Sequence, residues 1–222
     1  MCGRFIQCAS GERLAERFHL PMAPKLTPRY NVAPSQPVGV IRVAGGGDRE
    51  YASLRWGLVP AWSPEPRTAY STFNARAETV ADKPTYRHAF RRRRCLIPAD
   101  GFYEWRLVGK RKQPYCIAPT DGEPFAFAGL WERWERDETV VESCTIVVTT
   151  ANATIAPLHD RMPVILARAD EARWLDPALT DPAILQPLLV PCAPERLRVW
   201  PVGTAVNRSG SEGPDLMAPL PS

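Results

Sequence analysis

The sequence predicts a single α+β domain with a strand-rich, barrel-like core of mixed or antiparallel strands and short flanking helices. Three observations lead there. Proline supplies 24 of the 222 residues, about twice its usual share, which breaks long helices and favours strands, turns and ordered loops. Between residues 95 and 150 short apolar runs follow one another with turn residues between them, the cadence of a meandering sheet. Runs with helical spacing are few and short. A chain of this length forms one domain, or at most two small ones, and neither a repeat nor a linker divides it.

In order, residues 1–7 read as a short strand leading into a helix over 11–19, and a proline-rich loop follows to 28. Residues 38–43 and 52–58 read as strands joined by the Gly45-Gly46-Gly47 turn. Residues 74–80 alternate as a strand does, and 85–93 suit a short basic helix. Strands are then expected over 95–98, 101–107, 114–118, 125–131 and 142–150, with turns at 110–112, 120–123 and 136–138. Helices over 169–175 and 182–189 and a last strand over 197–201 complete a domain spanning residues 1–208. The Gly-, Pro- and Ser-rich tail, 209–222, is expected to be flexible and to fray.

Composition excludes several classes. With 28 Lys+Arg against 24 Asp+Glu the net charge is only +4, too mild to demand a polyanionic partner by itself. The consecutive Arg91 to Arg94 read first as a solvated face and second as a phosphate-binding stripe. Six cysteines lie scattered without a CxxC pair, which argues against a disulfide framework or structural zinc. Cys95, Cys116 and Cys144 sit in apolar runs and read as core thiols. Cys2, Cys8 and His19 fit no common zinc spacing, so no metal or cofactor is expected. No signal-like stretch or run of about 20 apolar residues is present. A cytoplasmic monomer, nucleoid-associated if it binds DNA and without a membrane partner, is the expectation.

Cys2 is the most informative residue. Once Met1 is removed, the chain begins with an α-amine and a thiol on adjacent carbons. An α-amine titrates near 7.7–8.0 against about 10.4 for lysine, so roughly a tenth of it is free base at neutral pH. It is ready to attack an aldehyde, after which the neighbouring thiol closes a five-membered thiazolidine. Position alone leaves open that Cys2 is merely a small second residue.

Other residues carry functional or bland readings of their own. Glu104 stands between Tyr103 and Trp105, whose apolar surfaces raise a carboxyl pKa, although a strand glutamate facing solvent reads as well. His159 is one of three histidines and suits proton transfer; His19 and His88 read as ordinary surface residues. Asn74, Arg76 and Glu78 would share one strand face, with Asn74 able to bond a sugar hydroxyl and Arg76 a phosphate. Arg4 and Arg161 are further candidates for phosphate contact. Trp62 and Trp105 are candidates for base stacking, whereas Trp56 and Trp131 read as core.

Six stretches decide between these readings. Residues 1–5 (MCGRF), 28–34 (PRYNVAP), 56–62 (WGLVPAW), 73–79 (FNARAET), 95–105 (CLIPADGFYEW) and 159–163 (HDRMP) resemble, in order, the signature blocks of the SRAP (SOS-response-associated peptidase) family. The likeness runs from Met1 to about Asn207. It implies a sensor of abasic sites in single-stranded DNA that crosslinks through Cys2, with peptidase-like self-processing. It further implies catalytic roles for Cys2, Asn74, Glu104 and His159. The chain departs from the family after Asn207, where Ser209-Gly210-Ser211-Glu212 replaces a further Asn and acidic residues. Two alternatives stay open: a cysteine hydrolase with Cys2 as nucleophile, His159 as base and Asn74 as polarising amide, and a module that binds single strands without covalent chemistry.

Overall fold

The structure, a computed structural model, describes every residue except Met1, Ala44, Gly46, Ala69 and Ser222. The expected loss of Met1 and the centre of the glycine turn at 45–47 lie outside the described residues. Twelve strands and four α-helices are present among those described. In chain order these are β1 (Phe5–Gln7), α1 (Gly11–Phe18), β2 (Arg29–Val32), β3 (Pro37–Val43), β4 (Arg49–Trp56), β5 (Asn74–Arg76) and α2 (Arg87–Arg92). Then come β6 (Arg94–Ala99), β7 (Gly101–Val108), β8 (Arg111–Pro119), β9 (Phe125–Arg136), β10 (Thr139–Thr150) and β11 (Arg161–Pro163). Helices α3 (Arg168–Leu175) and α4 (Pro182–Leu185) and strand β12 (Leu197–Pro201) finish the order.

Strands β10-β4-β3-β6-β9 pair in that order and β9 returns to pair with β10, which closes a ring of strands. Strands β5 and β11 attach to β10, and a second sheet runs β12-β8-β7-β1-β2. Most pairings are antiparallel, but β10 runs parallel to both β4 and β5. The expected α+β class and barrel-like strand core are therefore present.

The pattern of side chains explains the layering. Cys95 and Ile97 in β6, Phe127 in β9 and Ile146 and Val148 in β10 join one apolar cluster with Phe5, Phe102 and Ile117 of the second sheet. The alternate residues Leu96, Ala126, Ala128 and Val147 join another, built with Phe18, Phe90, Trp174 and Leu185 of the helices. Strands buried on both faces read as continuous apolar runs, which is why β6 and β10 were legible as strands. At the seam, Gly129 pairs with Cys95 on one side and Ile146 on the other. A Cβ there would lie 2.7 Å from Cys95 Sγ and 2.8 Å from an Ile97 side-chain carbon, so the closure needs glycine.

Helix α1 starts where Ser10 Oγ accepts from the Arg13 amide at 3.3 Å, and it ends at His19 with φ 55°. Four expectations are corrected. The strand expected over 74–80 stops at Arg76, because the chain turns at once, the Thr79 amide bonding Arg76 O at 3.1 Å. Strands β9 and β10 run on to a tight hairpin whose turn residues Asp137 and Glu138 have φ 47° and 64°. The arginine run is not a uniform solvated face: Arg94 is buried, and its guanidinium donates to the carbonyls of Phe90, Arg91, Trp174, Asp176 and Leu179. The chain beyond 209 is docked, with Leu216 buried, Val202 bridged to Pro219 and Glu212 paired to Arg29 at 2.9 Å.

Candidate active site

Pairing of β1 with β7 brings the start of the chain to Glu104. Phe5 lies opposite Phe102, and the Tyr103 amide donates to Arg4 O at 3.0 Å, so the ladder continues toward residues 2 and 3. Cys2 is fully buried and belongs to the apolar cluster that holds Phe5 and Val148. Burial pushes its thiol well up, the nearby Glu104 carboxylate pushes it further, and the Arg4 backbone N–H opposes them. Glu104 is itself only 3% exposed. Burial raises its carboxyl to about 7, with Asp160 adding to the rise, so near neutrality it is populated in both protonation states.

His159 sits at the end of a loop that folds onto itself. The buried Asn152 side chain donates to Cys192 O at 2.9 Å and accepts from the Ile155 amide at 3.1 Å, and the His159 amide then bonds Ile155 O at 3.1 Å. Arg161 N–H donates to His159 Nδ1 at 2.9 Å, which leaves the proton of the neutral ring on Nε2. Burial lowers the His159 pKa, while Asp160, whose Oδ1 is 2.9 Å from Nδ1, opposes that. The Asp160 contact acts as an ion pair only once the ring is protonated. Glu104 and His159 line one open cleft of about 430 Å³ together with Arg4, Trp105, Lys112 and Asn207.

The β5–β10 register places Asn74 beside Ile146 and Arg76 beside Val148, both of which pack in the cluster that contains Cys2. Asn74 Nδ2 donates to Phe73 O at 2.9 Å, while Oδ1 is buried with no hydrogen-bond partner among the described residues. An orphaned buried acceptor costs about 1–3 kcal/mol. Arg76 is exposed. Arg161 pairs with Glu78 across the turn that follows β5, so its guanidinium is partly neutralised.

The remaining candidates divide. Trp105 lies in the cleft, and its Nε1 donates to Asn207 Oδ1 at 2.7 Å. Arg4 lines the cleft as well, but its Nη1 donates to Asn31 Oδ1 at 2.9 Å and Val206 O at 2.7 Å. Asn31, fully buried, donates onward to Arg208 O at 2.8 Å and Ser211 O at 3.0 Å. Arg4 and Asn31 thus clamp residues 206–211 against the cleft wall. Trp62 is 60% exposed and lines a separate groove with Arg67 and Tyr70 that shares no lining residue with the cleft. Among the described residues no group of three or more His, Cys, Asp or Glu side chains could hold a metal ion, and no helix is long and apolar enough to cross a membrane.

Sequence reasoning missed Asn207 and Lys112 in the cleft and Asn152 and Asn31 behind it. Nothing local marks Asn152 or Asn31, since their partners are backbone carbonyls up to 180 residues away. Lys112 carried a signal, because it lies across β7–β8 from Leu107, two residues beyond Trp105.

Comparison with known proteins agrees over nearly the whole chain. A family model described as SOS response associated peptidase (SRAP) matches residues 1–209. Abasic site processing protein YoqW of Bacillus subtilis (strain 168) is 40% identical over 222 residues, covering 98% of this chain and 99% of that protein. Abasic site processing protein YedK of Escherichia coli (strain K12) is 30% identical over 231 residues, 99% of this chain and 100% of that protein. A crystal structure of a protein from Bacteroides thetaiotaomicron superposes with a TM-score of 0.88 at 26% identity, covering 99% of this chain and 100% of that one.

Proposed function

Given that this chain belongs to the SOS response associated peptidase (SRAP) family, we propose that it captures abasic sites in single-stranded DNA covalently, through Cys2 as the first residue of the mature chain. The names of its relatives, abasic site processing proteins, point to the substrate. The observation that carries the chemistry is Glu104: a buried carboxyl titrating near 7, beside Cys2, in a cleft shared with His159.

The abasic sugar must first open. His159, in its protonated form paired to Asp160, gives the Nε2 proton to the ring oxygen while the Glu104 carboxylate takes the proton of the anomeric hydroxyl, which leaves the aldehyde. The α-amine of Cys2 adds to that carbon. One proton of the nitrogen passes to the carbinol oxygen, and Glu104, now protonated, adds its own so that water departs. The nitrogen's second proton returns to His159, which leaves an imine. The Cys2 sulfur then adds to the imine carbon, and its proton passes by way of Glu104 to the nitrogen. A thiazolidine and one water are the net products. The raised thiol pKa fits this order, since the thiol acts second and intramolecularly. The unpartnered Asn74 Oδ1 is an acceptor for the α-amine or a sugar hydroxyl.

That same raised thiol argues against a general cysteine hydrolase, which depends on a stabilised thiolate beside a cationic partner. Any proteolysis is then confined to exposing Cys2. Arg76 and Arg161 are assigned to phosphates, Trp105 to base stacking in the cleft, and Trp62 to a base outside it. Arg4 meets a phosphate only with the part of its guanidinium that Asn31 and Val206 do not use.

Mixing the protein with an abasic single-stranded oligonucleotide, followed by denaturing electrophoresis, tests the proposal. A heat-stable adduct is expected. Cys2→Ala should leave only an imine that borohydride traps, and a residue added ahead of Cys2 should abolish both. A heat-stable adduct from Cys2→Ala without borohydride would overturn it.

A further inference from the structure

Beside the cleft, one hairpin concentrates positive charge. Residues 106–112, the ends of β7 and β8 and the turn at Gly109 (φ 61°), are all exposed. They hold Arg106, Lys110, Arg111 and Lys112, with no acidic residue from Trp105 to Thr120. Among the described residues none of these four cations forms an ion pair, although Arg13, Arg29, Arg42, Arg93, Arg133 and Arg161 elsewhere on the surface all do. Leu107 and Val108, 66% and 54% exposed, lie among them. Like charges crowded on a hairpin repel and are tolerated only at some cost, and among the described residues no ion pair offsets it.

The hairpin is also continuous with the cleft. Strand alternation puts Trp105 and Leu107 on one face, and Leu107 lies opposite Lys112, which itself lines the cleft with Glu104 and His159. A strand leaving the cleft past Trp105 therefore meets Leu107 and Lys112 on that face and Lys110 at the turn. It reaches Arg106 and Arg111, on the opposite face, by wrapping around the tip.

We propose that the β7–β8 hairpin tip is a second nucleic-acid contact surface, taking the phosphate backbone of the single strand that flanks the lesion, with Arg106, Lys110 and Arg111 as the phosphate partners. This rests on the proposed capture of abasic DNA and extends it from the lesion to its neighbours. An anionic backbone suits four unpaired cations, and the exposed Leu107 and Val108 offer apolar surface to unstacked bases without reading their identity. Each phosphate engaged on a single strand contributes about −0.7 to the slope of log K against log salt, so three contacts amount to roughly −2.

The test compares the wild-type chain with R106Q/K110Q/R111Q on abasic single strands of about 4 and about 16 nucleotides, near the limits of a single-strand site. Both covalent capture and the salt slope of binding to the undamaged equivalents are read. Wild type should bind the longer strand more tightly and with a steeper slope. In the variant that advantage should collapse and the slope on the longer strand should flatten by about 2. An unchanged slope and length preference, in a variant that melts where wild type does, overturns the inference. If the triple variant misfolds, K110E alone carries the same readout with a loss of at least about 0.7 in slope. A wild-type chain that captures neither strand sinks the capture proposal, and a flattened slope in that case would still stand for the hairpin.

Discussion

Glu104 is held where its charge is unwelcome, and that has consequences for both stability and rate. Its folded pKa of about 7 lies above the ~4.3 of an unfolded glutamate. The folded chain therefore keeps a proton that the unfolded chain releases between those values. The stability associated with that proton is complete below about pH 4.3 and is lost as pH rises through 7. Glu104→Gln, which mimics the neutral acid, should flatten this decline and melt higher than wild type at pH 8. The same change should slow capture by about 10²–10⁴-fold. Thermal melts at pH 5 and 8 check the first part, and parallel melting curves for the two proteins would remove the assigned burial penalty. Capture by wild type should fall toward acid pH as the α-amine, near 7.7–8.0, and the Glu104 carboxylate, near 7, take up protons. The glutamine variant should lose the Glu104 step and keep that of the α-amine. Cys2, Glu104 and His159 stood out as candidates because each lies in a block that resembles the family's signatures, and the fold brings the three to one place. The orphaned Asn74 Oδ1 and the Arg4–Asn31 clamp were not legible in the sequence, because both depend on which carbonyls the fold brings near.

At the scale of elements, the loop over 151–160 and the barrel seam are the places where small changes should be felt. Asn152→Ala removes the bonds to Cys192 O and the Ile155 amide and leaves buried partners unsatisfied. It should destabilise the fold by about 1–3 kcal/mol and slow capture through a displaced His159. Gly129→Ala forces a Cβ onto Cys95 Sγ and the Ile97 side chain and should cost about 1–3 kcal/mol by overpacking. Denaturant unfolding reads both, and a Gly129→Ala chain as stable as wild type would show that the seam relaxes freely. Strands buried on both faces were readable as apolar runs, whereas β2 and β11 were not. Only 4 and 3 residues long, they are strands because β1 and β10 pair with them rather than because of their own pattern. The tail over 209–222 misled for a related reason. Its composition is that of a frayed end, but Glu212 reaches Arg29 and the Tyr30 amide, and Leu216 finds a buried site.

Over the whole molecule, the proposed capture makes charge the factor that brings DNA to the cleft. Arg161 is restrained by Glu78, and a phosphate must compete with that carboxylate. Glu78→Gln should therefore strengthen binding of undamaged single strands, and Arg76→Ala should weaken it and flatten the salt slope by about 0.7. Titrations across a salt series with Cys2→Ala protein separate this encounter from the chemistry. Equal affinity for intact duplex would show that the cleft is not a single-strand site. The most direct test of the account is the intact mass of the purified adduct with an abasic oligonucleotide. Capture through the aminothiol of Cys2 predicts a mass equal to the chain lacking Met1 plus the DNA, less one water. An adduct whose mass includes Met1, or that loses no water, would contradict it.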